Sequence, residues 1–239
     1  MRLDFYLVEN QLARSRSHAQ DLIKRKLVTV NSQVINKPKY EVLDNDIVEM
    51  KKIENFVSRS ANKLESFLKM LNLELSGKVC FDIGSSTGGF TQVLLQNKVF
   101  KVYAIDVGKD QLAQSLKDDS RVISLEGVDA KKPLPIKQKF DIASIDVSFT
   151  TAKPILLNLV KYANAQAKII LLFKPQFEGD RQTVGPKKIV SEKNSEKIKS
   201  AFQNWLLKHN FKIENYADSV LKGKKGNQEG LYLLTLKDQ

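Results

Sequence analysis

Two lysines and two carboxylates, Lys63, Asp146, Lys174 and Glu229, are the side chains of this chain that could hold or move a proton, and a glycine-rich stretch from Asp82 to Thr91 could hold a cofactor. Asp146 closes the apolar run Phe140-Asp141-Ile142-Ala143-Ser144-Ile145, and Lys174 closes Ile169-Ile170-Leu171-Leu172-Phe173. Neighbouring strand ends bring such groups together, where a lysine facing a carboxylate serves either acid–base chemistry or a structural ion pair. Lys63, on a helix leading into the sheet, and Glu229, in Gly226-Asn227-Gln228-Glu229-Gly230 before the last strand, would extend the pair to a Lys, Asp, Lys, Glu tetrad.

The stretch Asp82-Ile83-Gly84-Ser85-Ser86-Thr87-Gly88-Gly89-Phe90-Thr91 follows the apolar Val79-Cys80-Phe81 and reads as a buried strand that breaks into a turn and then a helix. Its glycines permit a tight turn and a close approach of backbone to ligand, although an ordinary strand-to-helix connection would use them too. A dinucleotide fingerprint would need glycine at position 86, which is Ser86, and does not ask for an acid at Asp82. A carboxylate at the strand end suits a ligand with a cationic amino group better than a pyrophosphate, because two anions repel. S-adenosylmethionine meets that requirement. A second strand, Val102-Tyr103-Ala104-Ile105, ends in Asp106, about 20 residues past the loop, where an acid commonly holds two ribose hydroxyls.

The elements that must position these groups alternate. Strands are expected over 79–83, 102–105, 121–125, 140–145, 168–173, 211–217 and 230–236, with helices over 60–72, 90–96, 109–117, 151–163 and 191–209. Such alternation predicts an α/β, doubly wound, mostly parallel sheet of seven strands, with ligands at the carboxyl ends of its strands. The first fifty-odd residues read as a separate small α+β unit. Ser17 and Gln20 have capping-box spacing, and Ala19, Leu22, Ile23 and Leu27 recur at helical intervals, leaving Lys24, Arg25 and Lys26 mostly off that face. Leu27–Val30, a turn at Asn31-Ser32, and Gln33–Ile35 form a predicted hairpin, with a later strand over 47–50. Residues 51–55 read as a linker, so the expected domains are 1–55 and 56–239.

A chain of 239 residues with 42% hydrophobic and 28% charged content is ordinary for a soluble globular protein. No apolar run approaches the roughly 18 residues of a spanning helix. The first residues lack the apolar core of a secretory signal, which predicts a cytoplasmic protein without a membrane partner. Cys80 falls in a predicted strand and is read as an apolar filler. His18 and His209 are the only histidines, so no metal site is expected. The net charge of +12 is clustered: seven basic residues against one acid from Arg14 to Lys39, and eleven against four from Arg181 to Lys225. Two such patches predict a polyanionic partner.

The N-terminal residues resemble the S-four-like RNA-binding domain, through Arg2-Leu3-Asp4, Ala13-Arg14-Ser15-Arg16-Ser17 and Leu27-Val28-Thr29-Val30-Asn31. Residues 57–239 resemble the FtsJ-type ribose methyltransferases, and the whole chain resembles the TlyA family. The motifs that carry this are Ser58-Arg59 with Lys63-Leu64, the Asp82–Thr91 loop, Ile105-Asp106-Val107-Gly108 with Gln111-Leu112, Asp146-Val147-Ser148-Phe149, Lys174-Pro175-Gln176-Phe177-Glu178 and Gly226-Asn227-Gln228-Glu229. The resemblance implies an S-adenosylmethionine-dependent transfer to the 2′-oxygen of cytidine in ribosomal RNA, free or in a subunit. In its shorter forms, which this chain resembles, the large-subunit RNA is the substrate.

It further implies catalytic roles for Lys63, Asp146, Lys174 and Glu229, with Lys174 as general base or as the group steering the hydroxyl's lone pair. Gly84, Ser85, Gly88, Gly89 and Phe90 would surround the methionine portion of the cofactor with Asp82 below, Asp106 would hold the ribose and Asp129 the adenine amino group. The family commonly shows asparagine and arginine where this chain has Val128-Asp129-Ala130, and Ser60-Ala61 replaces a small pair that often includes glycine. Arg2, Arg14, Arg16, Lys24, Arg25, Lys26, Lys37 and Arg59 are the implied RNA contacts. Two readings of other classes are a non-catalytic RNA-binding or ribosome-assembly factor and a haemolysin-like membrane-active protein, since some family members were first described as haemolysins. Oligomeric state is left open.

Overall fold

The computed structural model describes residues 1–13, 15–24, 26–50 and 56–237, and the expected linker at 51–55 lies outside the described residues. The chain divides into two compact units, Met1–Asn55 and Phe56–Gln239.

In the first unit, helices α1 (Leu3–Glu9) and α2 (Arg16–Lys24) accompany an antiparallel sheet of β1 (Val28–Val30), β2 (Gln33–Ile35) and β3 (Val48–Met50), in the order β2-β1-β3. Leu3, Leu7, Leu22, Ile23, Val28 and Val30 fill its core. The hairpin turn falls on Asn31 and Ser32, both at positive φ (50° and 65°), the primed geometry that matches strand twist. Asn31 also accepts from the Ile47 amide at 2.9 Å, tying the turn to β3. The expected capping box is corrected: Ser15, not Ser17, accepts from the helical amide of His18 at 3.3 Å. Gln20 is drawn away because its Nε2 donates to the buried carboxylate of Asp4 at 2.9 Å.

The second unit runs α3 (Ser60–Leu71), β4 (Val79–Ile83), α4 (Gly89–Gln96), β5 (Lys101–Asp106), α5 (Gln114–Lys117), β6 (Val122–Glu126), β7 (Phe140–Ile145), α6 (Lys153–Leu159), β8 (Ala163–Phe173), α7 (Pro175–Glu178), α8 (Arg181–Val184), α9 (Glu192–Lys208), β9 (Phe211–Asp218) and β10 (Gly230–Leu236). The seven strands lie in the order β6-β5-β4-β7-β8-β10-β9. The first five are parallel, while β10 runs antiparallel to both β8 and β9. This bears out the predicted mostly parallel seven-stranded sheet. Phe81 and Ile83 face one core and Cys80 the other, which is why β4 is apolar on both sides, as strands of a doubly covered sheet are. Burial pushes the Cys80 thiol well above its ordinary range, consistent with an inert filler.

Strand order reverses between β4 and β7, and the crevice outside the carboxyl ends of those two strands is where such sheets bind ligands. Two expected helices are shorter than their periodicity suggested. Residues 109–113 are not helical: Asp110 takes φ +54°, and the Glu126 carboxylate at the end of β6 accepts from the Asp110 amide at 2.9 Å and from Leu112 at 3.4 Å. The 151–163 helix begins at Lys153, tightens into a 3-10 turn over Val160–Tyr162 and gives way at Ala163 to β8, where Ala163 pairs with Phe140.

Candidate active site

The four tetrad residues come from four elements. Lys63 lies in the first turn of α3, Asp146 follows β7, Lys174 follows β8 and Glu229 precedes β10. Antiparallel pairing sets Gly230 opposite Phe173, so Glu229 and Lys174, one step further on each strand, emerge at the same sheet edge. They form two ion pairs. Lys63 Nζ donates to Glu229 Oε2, whose other oxygen accepts from Gln176 Nε2 at 3.2 Å. Lys174 Nζ lies 2.6 Å from Asp146 Oδ1 and donates to Ser148 Oγ at 3.0 Å. Taking such charges out of water costs several kcal/mol per ion before their attraction offsets it. Both pairs line a cavity of about 580 Å³, together with Gly84, Ser85 and Phe90 from the glycine-rich loop and Arg59 from the start of α3.

The glycines of that loop are required by the protein itself. Gly84 has φ +80°, and a Cβ there would lie 2.5 Å from the Asp146 carbonyl oxygen; Gly88 has φ +97°, and its Cβ would meet a methyl of Leu116 at 2.2 Å. A Cβ on Gly89 would strike Ser58 Oγ. These contacts hold the three positions to glycine from within the protein, Gly84 against the loop after β7, Gly88 against Leu116 and Gly89 against Ser58, while Gly84 also lines the cavity.

Asp82 is a correction. It does not line the cavity but is fully buried, accepting from Thr91 Oγ1 at 2.6 Å and Ser144 Oγ at 2.8 Å. Burial pushes its carboxyl up to about 6, against the pull of the two hydroxyls and with a further push from the Asp146 charge. A carboxylate expected to face a cationic amino group is used inside the fold, clasping β4 to α4 and β7. Asp106 accepts from the amides of Ser86 (2.8 Å) and Gly108 (2.7 Å), binding the loop to the end of β5. Each of its oxygens retains a further lone pair for a ribose hydroxyl. Asp129 serves its own turn, accepting from the Lys131 amide at 3.0 Å. Neither Asp106 nor Asp129 forms part of the cavity wall.

Of the expected RNA contacts, Arg2 and Arg16 both donate to Asp4, at 2.9 and 3.1 Å, and both lie over the Phe5 ring. Lys24, Lys26 and Lys37 are exposed, and Arg14 and Arg25 lie outside the described residues. Ser148 and Gln176 belong to the site with no role predicted for them; the one signal is their place beside Asp146 and Lys174. Phe149 is another. It is 84% exposed and holds φ +64°, a conformation costly for a bulky side chain and usually seen where a site demands it. Its ring lies 5.5 Å from that of Phe177, and Lys188 Nζ sits over both.

A glycine turn at the switch point and two lysine–carboxylate pairs on one cavity form a recognisable constellation, and comparison with known proteins gives it a family. The FtsJ-like methyltransferase family matches residues 56–236, and the S4 domain matches residues 1–48. The Campylobacter jejuni protein named 23S rRNA (cytidine-2′-O)-methyltransferase TlyA is 36% identical over 97% of this chain and 98% of its own. The chain belongs to the TlyA family of FtsJ-like methyltransferases. Another TlyA relative, named 16S/23S rRNA (cytidine-2′-O)-methyltransferase in Mycobacterium tuberculosis, is 38% identical over 80% of this chain and 73% of its own. A solved Streptococcus thermophilus structure that carries a hemolysin name superposes with a TM-score of 0.74 at 33% identity, covering 100% of this chain and 89% of that one. As a TlyA-family chain the protein is an enzyme, its second unit a methyltransferase domain. Among the described residues no cluster of histidine, cysteine, aspartate or glutamate could hold a metal ion, and no helix is long and apolar enough to cross a membrane.

Proposed function

We propose that this protein transfers a methyl group from S-adenosylmethionine to the ribose 2′-oxygen of a cytidine in large-subunit ribosomal RNA. The observation that carries the reading is the convergence of Lys63–Glu229 and Lys174–Asp146 on one cavity beside the glycine loop. The donor set suits the cofactor: Asp106, at the end of β5, keeps free lone pairs for its ribose, and Ser85–Thr87 and Phe90 of the glycine-rich loop line the cavity. When bound, that cofactor supplies a methyl already activated by positive charge.

The protein's task is then to prepare the oxygen. A ribose hydroxyl is a weak nucleophile until its proton is held or removed. Lys174 is the group for that step, taking the proton as an amine or steering the lone pair as an ammonium, with Asp146 and Ser148 fixing its position. Lys63, held by Glu229, whose other oxygen accepts from Gln176, fixes the ribose from the other side. Orientation of this kind accounts for much of the rate in reactions between two bound partners. Phe149, exposed at the rim, offers a face on which a base turned out of the RNA stack can rest. Support for the large subunit comes from the C. jejuni relative, named for 23S RNA alone and matched over 98% of its length, whereas the M. tuberculosis relative named for both subunits is matched over 73%.

Methyl transfer from labelled S-adenosylmethionine to separated small and large ribosomal subunits tests this, with Lys174→Ala in parallel. Label is expected on the large subunit and is expected to fall by at least about 100-fold in the variant, the usual scale for a lost acid–base group. Near-wild-type turnover in Lys174→Ala would sink the catalytic assignment, and label confined to the small subunit would sink the substrate.

A further inference from the structure

Two loops of the methyltransferase unit, residues 185–190 and 221–226, contain five lysines and no acid: Lys187, Lys188, Lys222, Lys224 and Lys225. Four of them, all but Lys187, line the same cavity as the tetrad. The acids that share that cavity are already engaged, Glu229 by Lys63 and Asp146 by Lys174, so the lysine charge is uncompensated. Like charges left to themselves spread apart in water, and here a buried amide prevents it. Asn227 is 3% exposed. Its Oδ1 accepts from the Val190 amide at 2.9 Å, its Nδ2 donates to the Lys188 carbonyl at 2.8 Å, and its own carbonyl accepts from the Gly223 amide at 2.9 Å. Lys225 Nζ adds a bond to the Lys187 carbonyl at 3.3 Å. One residue thus closes its own loop and fastens the other to it, and Lys188 is held at φ +53° in the process.

We infer that these two loops form a phosphate-binding wall for the RNA strand entering the cavity, assembled by Asn227 as a positioning residue. The inference rests on the reading that RNA is the substrate. Lysines at this spacing suit a backbone that presents one negative charge per nucleotide, and binding them releases condensed counterions, which makes affinity depend steeply on salt. Adjacent to the wall, Lys188 over Phe149 and Phe177 links the phosphate track to an aromatic face suited to a base.

The test uses the full chain, a large-subunit rRNA transcript as probe, and the triple variant Lys222→Gln/Lys224→Gln/Lys225→Gln. Its log–log slope of RNA affinity against salt is expected to fall by about 2, at roughly 0.7 per lost contact on single strands, with S-adenosylmethionine binding unchanged. The matched control, Lys193→Gln/Lys197→Gln/Lys208→Gln, removes three exposed lysines of α9 and should keep both slope and methyl transfer. Asn227→Ala removes no charge yet should weaken RNA binding about tenfold, as expected when two hydrogen bonds no longer hold the loops. An unchanged slope in the loop variant, or an equal change in the control, overturns the wall, and wild-type affinity in Asn227→Ala overturns its assembly. A slope change without methyl transfer by the wild-type chain would instead retire the proposed function while leaving the wall in place.

Discussion

Each unit of the protein buries one aspartate completely, Asp4 in the first and Asp82 in the second, yet the two carboxyls are displaced in opposite directions. Burial opposes ionisation at Asp4 too, but hydrogen bonds from Arg2, Gln20 and Arg16 outweigh it and hold the group at about 2. Asp82 has the hydroxyls of Thr91 and Ser144 and the Thr91 backbone amide to hold its charge, against burial and the repelling charge of Asp146, and it sits at about 6. Burial alone therefore does not decide how a buried acid titrates; the charge of its partners does. The difference matches the partners in the two units: Asp4 is held ionised by two arginines, whereas Asp82 is held by neutral donors and takes up a proton as pH falls through about 6.

The largest effect expected from this contrast is in the pH dependence of the methyltransferase unit. Because the folded-state value of Asp82 lies above its unfolded value of 3.8, the native state holds the proton more tightly. Its contribution to stability is full below about pH 4 and declines as pH rises through about 6, by on the order of 3 kcal/mol. Asp82→Asn should flatten that decline, read from hydrogen-exchange protection of β4 amides at several pH values. A decline of the same size in the variant would assign it to another group. Asp4 has the opposite sign: its folded value lies below the unfolded one, so its contribution is present above about pH 4 and is lost as pH falls through about 2.

A smaller effect is expected from Asp4→Ala, which frees two arginines that already reach water and should cost about 2 kcal/mol, confined to exchange in α1, α2 and β1. If protection fell equally in both units, the separation between them would be wrong. Smallest is Ser144→Ala, which removes one hydroxyl from Asp82 and should cost about 1 kcal/mol while raising the Asp82 titration further. A midpoint that stayed near 6 in a pH titration of Ser144→Ala would mean the hydroxyl does not hold the ionised form.

Most of the second unit was legible because strands of two-sided burial and helices of amphipathic spacing leave different patterns in sequence. Chemistry-bearing residues placed directly after such strands, Asp146 and Lys174, could be assigned to one sheet edge by the general behaviour of parallel sheets. The orientation of Asp82 could not be read, because its partners Thr91 and Ser144 stand 9 and 62 residues away and neither is unusual by itself. The same holds for Gly84 and Gly88, whose constraint comes from Asp146 and Leu116. Helix 109–117 was over-extended because periodicity carries no information about Glu126, which satisfies the amides that helix would have used.

Local periodicity and composition are enough for the order of the elements, the clustering of positive charge and the presence of two lysines and two acids at strand and helix ends. The tertiary structure decided which lysine meets which acid. Lys63 is held by Glu229, 166 residues away, and Lys174 by Asp146, because the strand order β4-β7-β8-β10 sets those termini side by side. Pairing and burial are properties of that arrangement, and the chemistry of ionisable groups depends on both.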